Sequence, residues 1–330
     1  MIWAGRKVLV TGADGFIGSH LTERLVALGA DVRPFCFYNS NASLGWLDDA
    51  GPAFRKGLDV RLGDIRDARF VEEACRGVDT VFHLAALIAI PYSYSAPESF
   101  VDTNVKGTLN VLEGARRAGC RRMVNTSTSE VYGTPDDVPI RETHPLQGQS
   151  PYSASKIAAD KFCEAYHRSF DVPVVTLRPF NTYGPRQSTR AVLPTLLVQL
   201  LSGKKEVKLG RLDPKRDLTY VADTVEGFVK AAETEAVEGE VIQLGTGRTV
   251  SIADLFDAAC AALGAKASVV QERERMRPDD SEVMILLSDP SKARRLLGWE
   301  AGIPLEQGIL RTARWLEKRL HLYDPERYHV

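Results

Sequence analysis

The sequence is poor in the residues that build metal sites and disulfide frameworks. Only five of its 330 residues are cysteine and six are histidine, and neither type recurs at the short spacings that bind a metal or pair as disulfides. Isolated thiols of this kind are typical of a reducing cytoplasm. We therefore expect a cytoplasmic protein that holds no metal.

Long apolar runs and a net charge are also lacking. The longest apolar run, at 80–89, is far shorter than the ~20 residues that span a bilayer, and Pro91 follows closely behind it. Lys and Arg number 42 against 43 Asp and Glu, which leaves a formal net charge of −1. Such a balance provides no general attraction to nucleic acid or to an anionic membrane. No secretory signal is expected either, because Arg6 and Lys7 precede only a short apolar run.

A glycine-rich turn stands directly after the first apolar segment. Residues 7–10 form a short β-branched run, and the sequence Thr-Gly-Ala-Asp-Gly-Phe-Ile-Gly follows at 11–18. Apolar residues then recur at helical spacing until Gly29. A strand, a glycine turn and a helix form a nucleotide-binding unit, because the glycines let a pyrophosphate approach the free N–H groups of the helix N-terminus. The spacing is Gly-x-x-Gly-x-x-Gly, which differs from the Gly-x-Gly-x-x-Gly of ordinary dehydrogenases.

The second predicted strand, at 32–37, lacks the acidic residue that ordinarily binds the adenosine ribose hydroxyls. Its end is followed by Tyr38, Asn39 and Ser40, and Arg33 stands too early in the strand to bind a 2′-phosphate. These three polar side chains can hydrogen-bond either form of a dinucleotide, so NAD and NADP both stay open.

Strands and helices alternate over the first ~180 residues. Further strands are predicted at 60–62, 81–86, 123–126 and 174–177, and helices at 67–76, 98–118 and 151–170. Residues 39–58 and 87–96 are predicted as loops, and His83 as a packed histidine. The alternation predicts the fold class α/β, with a doubly wound parallel Rossmann-type sheet.

The regular alternation of predicted strands and helices ends after Arg178. We expect residues 1–178, with returning segments near 215–247, to form the dinucleotide-binding domain. The rest of 179–330 is predicted to form a smaller C-terminal substrate-binding lobe, with helices at 193–201, 222–233, 251–263, 290–297 and 305–320. The charged run at 271–282 is interpreted as a loop in which Arg277 faces the substrate.

Two short stretches carry candidate catalytic chemistry. In the first, Pro-Tyr-Ser-Ala-Ser-Lys at 151–156, Tyr152 and Lys156 share one helix face. A fixed ammonium one turn away favours the phenolate of a tyrosine whose ordinary pKa is near ~10, so Tyr152 is predicted to accept a proton from a sugar or alcohol hydroxyl. The second, Ser-Thr-Ser-Glu-Val-Tyr-Gly at 127–133, would bring Thr128 and Glu130 to one side if it stays extended.

These residues resemble the extended short-chain dehydrogenase/reductase family of sugar-nucleotide enzymes, along the whole chain. The resemblance is carried by residues 11–18, Gly63 and Asp64, 83–86, Asn104, Thr128, Tyr152 and Lys156, 178–185, and Arg216 and Asp217. The stretch 127–133 is similar to the 4,6-dehydratase branch, especially the GDP-mannose 4,6-dehydratase type, because 4-epimerases usually carry a small residue in place of Glu130. Residues 87–94 and 147–156 further resemble bacterial legionaminic-acid-pathway dehydratases, which are thought to act on a nucleotide-linked N-acetylglucosamine.

The resemblance implies a nucleotide-sugar 4,6-dehydratase that makes a 4-keto-6-deoxy sugar by internal hydride transfer from C4 to the cofactor and on to C6. It implies that Thr128 hydrogen-bonds O4, that Tyr152 takes the proton of the 4-hydroxyl, and that Lys156 holds the nicotinamide ribose. Glu130 is the expected base at C5. Either Ser129 or Glu130 supplies the proton to the departing 6-hydroxyl.

The resemblance also implies two sets of binding residues and a homodimer. The expected cofactor, NAD with NADP not excluded, would contact Gly12, Asp14, Gly15, Phe16, Ile17, Tyr38, Asn39, Ser40, Asp64, Ile65, Leu84, Ala85, Ala86, Asn104, Thr126, Tyr152, Lys156 and Phe180. The nucleotide sugar would contact Ile88, Tyr92, Ser93, Thr128, Asn181, Arg186, Val192, Arg216 and Arg277. The homodimer would form through the helices at 98–118 and 151–170.

Two other functions stay open at this point. A nucleotide-sugar 4-epimerase would use Tyr152 and Lys156 but has no need of Glu130. A nucleotide-sensing protein on the same fold would need no catalytic group, and the set Thr128, Tyr152 and Lys156 argues against it.

Overall fold

The structure is an alternation of strands and helices that ends in a set of shorter elements. The computed structural model describes residues 2–276 and 281–326. The strands are β1 Lys7–Thr11, β2 Asp31–Phe37, β3 Arg61–Gly63, β4 Thr80–His83, β5 Arg122–Thr126, β6 Val174–Pro179, β7 Asn181–Tyr183, β8 Glu206–Leu209, β9 Lys215–Arg216, β10 Leu218–Tyr220, β11 Val241–Leu244, β12 Val250–Ser251, β13 Ser268–Gln271 and β14 Ile285–Leu286. The α-helices are α1 Phe16–Ala27, α2 Pro52–Lys56, α3 Ala68–Cys75, α4 Ile90–Ser95, α5 Pro97–Phe100, α6 Gly107–Ala118, α7 Pro151–Phe170, α8 Val192–Leu201, α9 Val221–Glu233, α10 Ile252–Leu263, α11 Ser291–Leu297 and α12 Leu305–Glu317.

Seven strands form one parallel sheet in the order β3-β2-β1-β4-β5-β6-β11. The order reverses between β1 and β4, which is the point where open sheets of this kind bind ligands outside the carboxyl ends of their strands. The α/β fold class is therefore confirmed. The return of residues 240–244 to the main sheet is also confirmed, because β11 pairs with β6.

Helices cover both faces of the sheet, and successive strand residues point to opposite faces. Leu9 and Val81 belong to the core beneath α3, α6 and α7. Val8, Val10 and Phe82 belong to the larger core on the other face, which α1 and α9 share with the C-terminal helices. Buried on both faces, the strands consist of almost continuous apolar runs, as a parallel sheet requires.

The C-terminal part adds three small sheets to this core. They pair β10 with β7, β12 and β14 with β9, and β13 with β8. The strand β9 carries Arg216, and β7 begins at Asn181, so both of these predicted substrate residues lie on small sheets outside the central one. No helix in the described part of the chain is long and apolar enough to cross a bilayer.

Four predictions of local structure were wrong. The strand predicted at 81–86 ends at His83, and the predicted loop at 87–96 contains α4, because Pro91 lies in the first turn, where a missing N–H costs nothing. The predicted loop at 39–58 contains the 3-10 turn Gly45–Ala50 and α2. The single helix predicted at 98–118 is α5, a π-helical turn at Val101–Lys106 and α6 in succession.

Candidate active site

The glycine turn packs tightly between β1 and the end of β4. Gly12 has a φ of 69°, and a Cβ there would lie 2.7 Å from the backbone nitrogen of Ala85. A Cβ on Gly18 would lie 2.1 Å from the carbonyl oxygen of Gly12. Only glycine fits these two positions, so the turn keeps its tight shape and lies directly against residues 84 and 85.

The turn leads into α1 with an open N-terminus. Gly15 is the N-cap and, within the described chain, no side chain caps the helix. The N–H groups of Phe16 and Ile17 stand in the first turn of α1, where backbone donors have no partner inside the helix. Donors and helix dipole together suit a pyrophosphate, so the predicted residues Gly15, Phe16 and Ile17 fit the phosphates of a dinucleotide.

The loop after β2 is folded by its own hydrogen bonds. The side chain of Asn39 bonds the carbonyls of Phe37 and Ser43 and the N–H groups of Asn41 and Ser43. This corrects the prediction for Asn39, because an amide engaged in four local bonds holds the loop and does not offer itself to a ribose. Tyr38 and Ser40 are exposed beside it.

Asp64 and Ile65 follow β3 at the same edge of the sheet. The carboxylate of Asp64 holds Arg66 at 2.6 Å, and this arginine lowers the pKa of Asp64. Ile65 is buried and its side chain packs against Gly107. A Cβ added to Gly107 would lie only 2.6 Å from the Cδ1 atom of Ile65. The predicted residues therefore line the sheet edge, with Ile65 facing inward.

Asn104 lies in the π-helical turn and ties three segments together. Its amide bonds both the N–H and the carbonyl of Leu87, and it donates to the hydroxyl of Ser155 on α7. This corrects the prediction of a direct cofactor contact: Asn104 is 1% exposed and acts by holding the chain after Ala85 and Ala86. The loop residues Leu84, Ala85 and Ala86, which are predicted to contact the cofactor, are partly exposed beside the glycine turn.

His83 is confirmed as a packed histidine. Its Nδ1 lies 2.8 Å from the Thr11 hydroxyl, and its Nε2 lies 3.0 Å from the Thr108 hydroxyl. The Thr108 hydroxyl donates to the carbonyl of Asn104, so Nε2 carries the proton and Nδ1 accepts from Thr11. Burial, together with the charge of Lys156, lowers the pKa of His83 to about 3. The ring is therefore neutral at physiological pH.

The predicted catalytic tyrosine stands at the start of α7. A reciprocal capping box between Ser150 and Ser153 fixes the first turn, which places Tyr152 at the second helical position. Its ring is 7% exposed and packs edge-on to Phe100 at a centroid distance of 6.2 Å. The cap therefore decides where the hydroxyl of Tyr152 points.

Thr128 hydrogen-bonds that hydroxyl, and the charge of Glu130 acts on it. A hydrogen bond with the Thr128 side chain lowers the pKa of Tyr152, while burial and the charges of Glu130 and Asp160 raise it, burial being the largest cause. The structure thus brings the three predicted side chains together, although the segment is not extended as expected. Residues Ser129–Tyr132 form a 3-10 turn, and the N–H of Glu130 bonds the Thr128 hydroxyl at 3.2 Å.

The structure bears on two expectations about this turn. Burial raises the pKa of Tyr152 above its ordinary value, opposite to the direction expected from Lys156. The ammonium of Lys156 donates to the carbonyl of Thr126 at 2.6 Å. Burial also lowers the pKa of Lys156, an effect opposed by the charge of Asp160. Ser129 is 2% exposed, which makes it a poorer proton donor to a substrate than the half-buried Glu130.

A buried ion pair behind the turn was not predicted. Arg178 on β6 and Asp160 on α7 are each 4% exposed at the side chain and lie 2.9 Å apart. Asp160 also accepts from the Ser127 hydroxyl, and Arg178 donates to the Tyr132 hydroxyl at 3.0 Å. Ser127 and Tyr132 bracket the catalytic turn, so the pair holds both of its ends.

The predicted sugar-binding residues on α4 divide into exposed and buried ones. Ile88, before the helix, is 65% exposed and Tyr92 is 41% exposed, so both are available to a ligand. Ser93 is fully buried, and its hydroxyl donates to the carbonyl of Ile90. The prediction for Ser93 was therefore wrong, because a helical serine can bond the preceding turn and face the core.

Two further predictions on the C-terminal side are corrected. Arg186 is turned toward α1, where it bonds Glu23 at 2.7 Å and the hydroxyl of Ser19. Phe180 is 1% exposed and its ring packs in a small core with Val131, so only its main chain is left for a cofactor.

The substrate contacts of Asn181, Val192 and Arg216 stay predictions. Asn181 and Val192 are partly exposed, and Val192 opens α8. Arg216 is held by Glu282 at 2.9 Å, both side chains being 9% exposed. Arg277 lies outside the described residues. Thr126, at the end of β5, has a buried hydroxyl oxygen with no hydrogen-bond partner among the described groups.

No group of three or more potential ligands that could hold a metal ion occurs among residues 2–276 and 281–326. The cysteines all carry free thiols, and burial raises the pKa of Cys163 beside the site well above its ordinary value. The site is therefore built from hydroxyl, carboxylate and amine groups around an apolar floor.

Comparison with known proteins assigns one family to almost the whole chain. The family model for GDP-mannose 4,6 dehydratase matches residues 9–312. The chain is 33% identical to the UDP-glucose 4-epimerase of Mycolicibacterium smegmatis, over 95% of this chain and 99% of that protein. It is 31% identical to the dTDP-D-glucose 4,6-dehydratase of Mus musculus, over 96% of this chain and 90% of that protein.

Solved structures give the same picture. The crystal structure of the dTDP-glucose 4,6-dehydratase from Streptomyces venezuelae, which has NAD bound, superimposes with a TM-score of 0.84 at 31% identity. The match covers 97% of this chain and 99% of that one. The similar proteins thus carry both dehydratase and epimerase names.

Proposed function

Since the chain belongs to the GDP-mannose 4,6-dehydratase family of extended short-chain dehydrogenase/reductase enzymes, we propose that it is a nucleotide-sugar 4,6-dehydratase. Its substrate is a nucleotide-linked N-acetylglucosamine, and its product is the 4-keto-6-deoxy sugar nucleotide. Family membership alone supports a nucleotide-sugar 4,6-dehydratase or 4-epimerase.

The position of Glu130 carries the proposal. Its charge acts on Tyr152, whose hydroxyl also bonds Thr128, so a carboxylate stands beside the two groups that would bind the sugar at O4. An epimerase has to move a proton and a hydride at C4 only. A second base so close to the tyrosine is what removal of the neighbouring C5 proton requires.

The protein groups divide the chemistry among them. A bound NAD supplies a reversible hydride acceptor. Thr128 holds O4, and Tyr152 takes the proton of the 4-hydroxyl as C4 is oxidised. Glu130 then removes the C5 proton, which the new 4-ketone acidifies, and a proton from Glu130 or Ser129 leaves with the 6-hydroxyl as water. Return of the C4 hydride to C6 and of one proton to C5, equal to the proton that Tyr152 took, completes the 4-keto-6-deoxy product.

The remaining assignments belong to the same proposal. Residues 1–178, with returning segments near 215–247, hold the NAD-type cofactor, and the remaining C-terminal segments, together with Arg216 on β9, hold the nucleotide sugar. Arg216, already oriented by Glu282, binds the diphosphate, because a guanidinium binds phosphate oxygens in pairs. The enzyme is a homodimer of the reducing cytoplasm, which its free thiols suit.

A 4-epimerase is the second candidate. It is favoured by the 33% identity to an enzyme named UDP-glucose 4-epimerase, and it would use Thr128, Tyr152 and Lys156 in the same way. It assigns no chemistry to Glu130.

Mass spectrometry separates the two functions. The purified protein is incubated separately with UDP-N-acetylglucosamine, GDP-N-acetylglucosamine, GDP-mannose and dTDP-glucose. We expect one N-acetylglucosamine nucleotide to lose one water without consumption of added cofactor, because the hydride is returned within the cycle. A product of unchanged mass and altered NMR spectrum would identify an epimerase instead.

A further inference from the structure

The end of β2 is where folds of this topology choose between NAD and NADP. A carboxylate there binds the ribose 2′-hydroxyl, whereas a nearby arginine accommodates a 2′-phosphate. In this chain β2 ends at Phe37, and residues 37–40 contain no acidic or basic side chain. The strand itself therefore supplies neither group.

The carboxylate of Asp14 lies at this strand end. Its Oδ2 accepts a hydrogen bond from the backbone N–H of Phe37, with 3.4 Å between the two atoms. The main chain of Asp14 is held by Trp46, whose N–H bonds the Asp14 carbonyl at 3.0 Å. Gly45 packs against the same carbonyl, since a Cβ there would lie 2.4 Å from its oxygen. The glycine turn and the loop after β2 thus fix Asp14 from both sides.

The loop leaves Asp14 as the acidic group beside Phe37. Asn39, which the sequence offers for the ribose, is engaged in four bonds within its own loop. Tyr38 and Ser40 are exposed and neutral. We infer that Asp14 takes the place of the missing β2 carboxylate, binds the adenosine ribose and selects NAD over NADP. This inference rests on the proposed function, because it concerns the cofactor of that reaction.

The charges around the strand end favour the same choice. Burial, followed by the carboxylates of Asp14 and Asp48, raises the pKa of the Cys36 thiol to about 12. Both carboxylates therefore act on the residue before Phe37. A 2′-phosphate would add a charge of about −2 to this region, so it would be repelled where a hydroxyl would be bound.

The neighbouring arginines already hold carboxylates. Arg33 bonds Asp59 at 2.7 Å, and Arg66 bonds Asp64 at 2.6 Å. Burial raises the pKa of Asp14, and two backbone N–H groups oppose that rise. A partly desolvated carboxylate of this kind gains from a further hydroxyl donor, which the ribose of NAD provides.

The test compares the two nucleotides on the intact protein. Nucleotide released from the purified protein by heat is identified by mass spectrometry, and NADH and NADPH are titrated separately while nicotinamide fluorescence is followed. The variant Asp14→Asn keeps an oxygen acceptor for Phe37 and removes the charge. The matched control is Asp31→Asn, which removes one exposed carboxylate charge at the opposite end of β2.

We expect the wild type to release NAD or NADH. We also expect it to bind NADH at least ~10-fold more tightly than NADPH, because NADPH would lose the hydrogen bond to the Asp14 carboxylate and its 2′-phosphate would be repelled. Asp14→Asn should reduce that ratio by ~10-fold or more, and Asp31→Asn should leave it unchanged. Asp14→Ser, a smaller neutral variant, should repeat the result if asparagine disturbs the glycine turn.

Two outcomes would overturn the inference alone: an unchanged ratio in folded Asp14→Asn and Asp14→Ser, or a wild type that prefers NADPH. If the folded wild type bound neither nucleotide, the proposed dehydratase would fall together with the role of Asp14.

Discussion

At the residue scale, Glu130 decides between the two candidate reactions. Its carboxylate is close enough to act on the Tyr152 hydroxyl, yet oxidation at C4 needs only Tyr152, Thr128 and the cofactor. The role of Glu130 at C5 can therefore be tested separately from the oxidation at C4.

Replacement Glu130→Gln should stop water loss and spare the first oxidation. We expect dehydration to slow by ~10²–10⁴-fold, the usual contribution of a general base, while substrate still reduces the bound cofactor, seen as absorbance at 340 nm. Glu73→Gln, an exposed glutamate on α3, is the control and should behave as the wild type. Dehydration at the wild-type rate by Glu130→Gln would remove Glu130 from the mechanism.

His83 gives the fold a pH dependence of its own. Burial lowers its pKa from 6.5 to about 3, so between these values the unfolded chain binds a proton that the folded chain does not. The contribution of the neutral ring is complete above pH 6.5 and is lost as the pH falls toward 3, by ~1.4 kcal/mol per pH unit.

Chemical unfolding between pH 7.5 and pH 4.5 tests this dependence. His83→Asn, which can still accept from Thr11, should lower the free energy of unfolding at pH 7.5 but flatten its decline with falling pH. His321→Asn, at an exposed position, should keep the wild-type decline. Equal slopes for wild type and His83→Asn would mean that other groups cause the acid sensitivity.

At the scale of elements, the Arg178–Asp160 pair joins α7 to β6 and to the catalytic turn. Both charges are buried, and breaking such a pair leaves an uncompensated charge in the interior. We expect Asp160→Asn to lower the free energy of unfolding by about 3 kcal/mol and to slow the reaction, because Ser127 and Tyr132 lose their common anchor.

An exposed pair on the same helix is the control for this prediction. Glu164 bonds Arg168 at 2.9 Å with 40% and 74% of the side chains exposed, so Glu164→Gln should cost no more than ~1 kcal/mol. Guanidinium unfolding of both variants gives the comparison. Equal effects would show that the buried pair has no special role in holding the turn.

At the scale of the whole molecule, α7 and the segment leading into α6 present apolar side chains outward. Val101 is 55% exposed, Phe162 37% and Phe170 52%. Apolar side chains on neighbouring helices are typical of an interface between two copies, which is why we keep the homodimer as a prediction.

Sedimentation velocity at micromolar concentration should give a dimer for the wild type and a monomer for Phe162→Glu, because a buried glutamate would be unpaired in the interface. Val270→Glu, an equally exposed apolar position on β13, should remain a dimer. A wild type that sediments as a monomer would contradict the prediction.

Features that depend on neighbouring residues along the chain could be predicted from the amino-acid sequence. The strand, glycine turn and helix at 7–27, the helical pairing of Tyr152 with Lys156, and the alternation that builds a parallel sheet all follow from local spacing. The burial of His83 was also predicted, because its strand is apolar on both sides.

Contacts between residues far apart in the sequence depend on the tertiary structure. Asp14 lies 23 residues before Phe37, Asp160 lies 18 before Arg178, and Arg186 lies 163 after Glu23. Periodicity identifies the face of an element but not the element packed against it, so the anchor behind the turn, the burial of Ser93 and the bonds of Asn39 could not be predicted. Burial likewise depends on the whole fold, which is why the pKa of Tyr152 moved opposite to the expectation from Lys156.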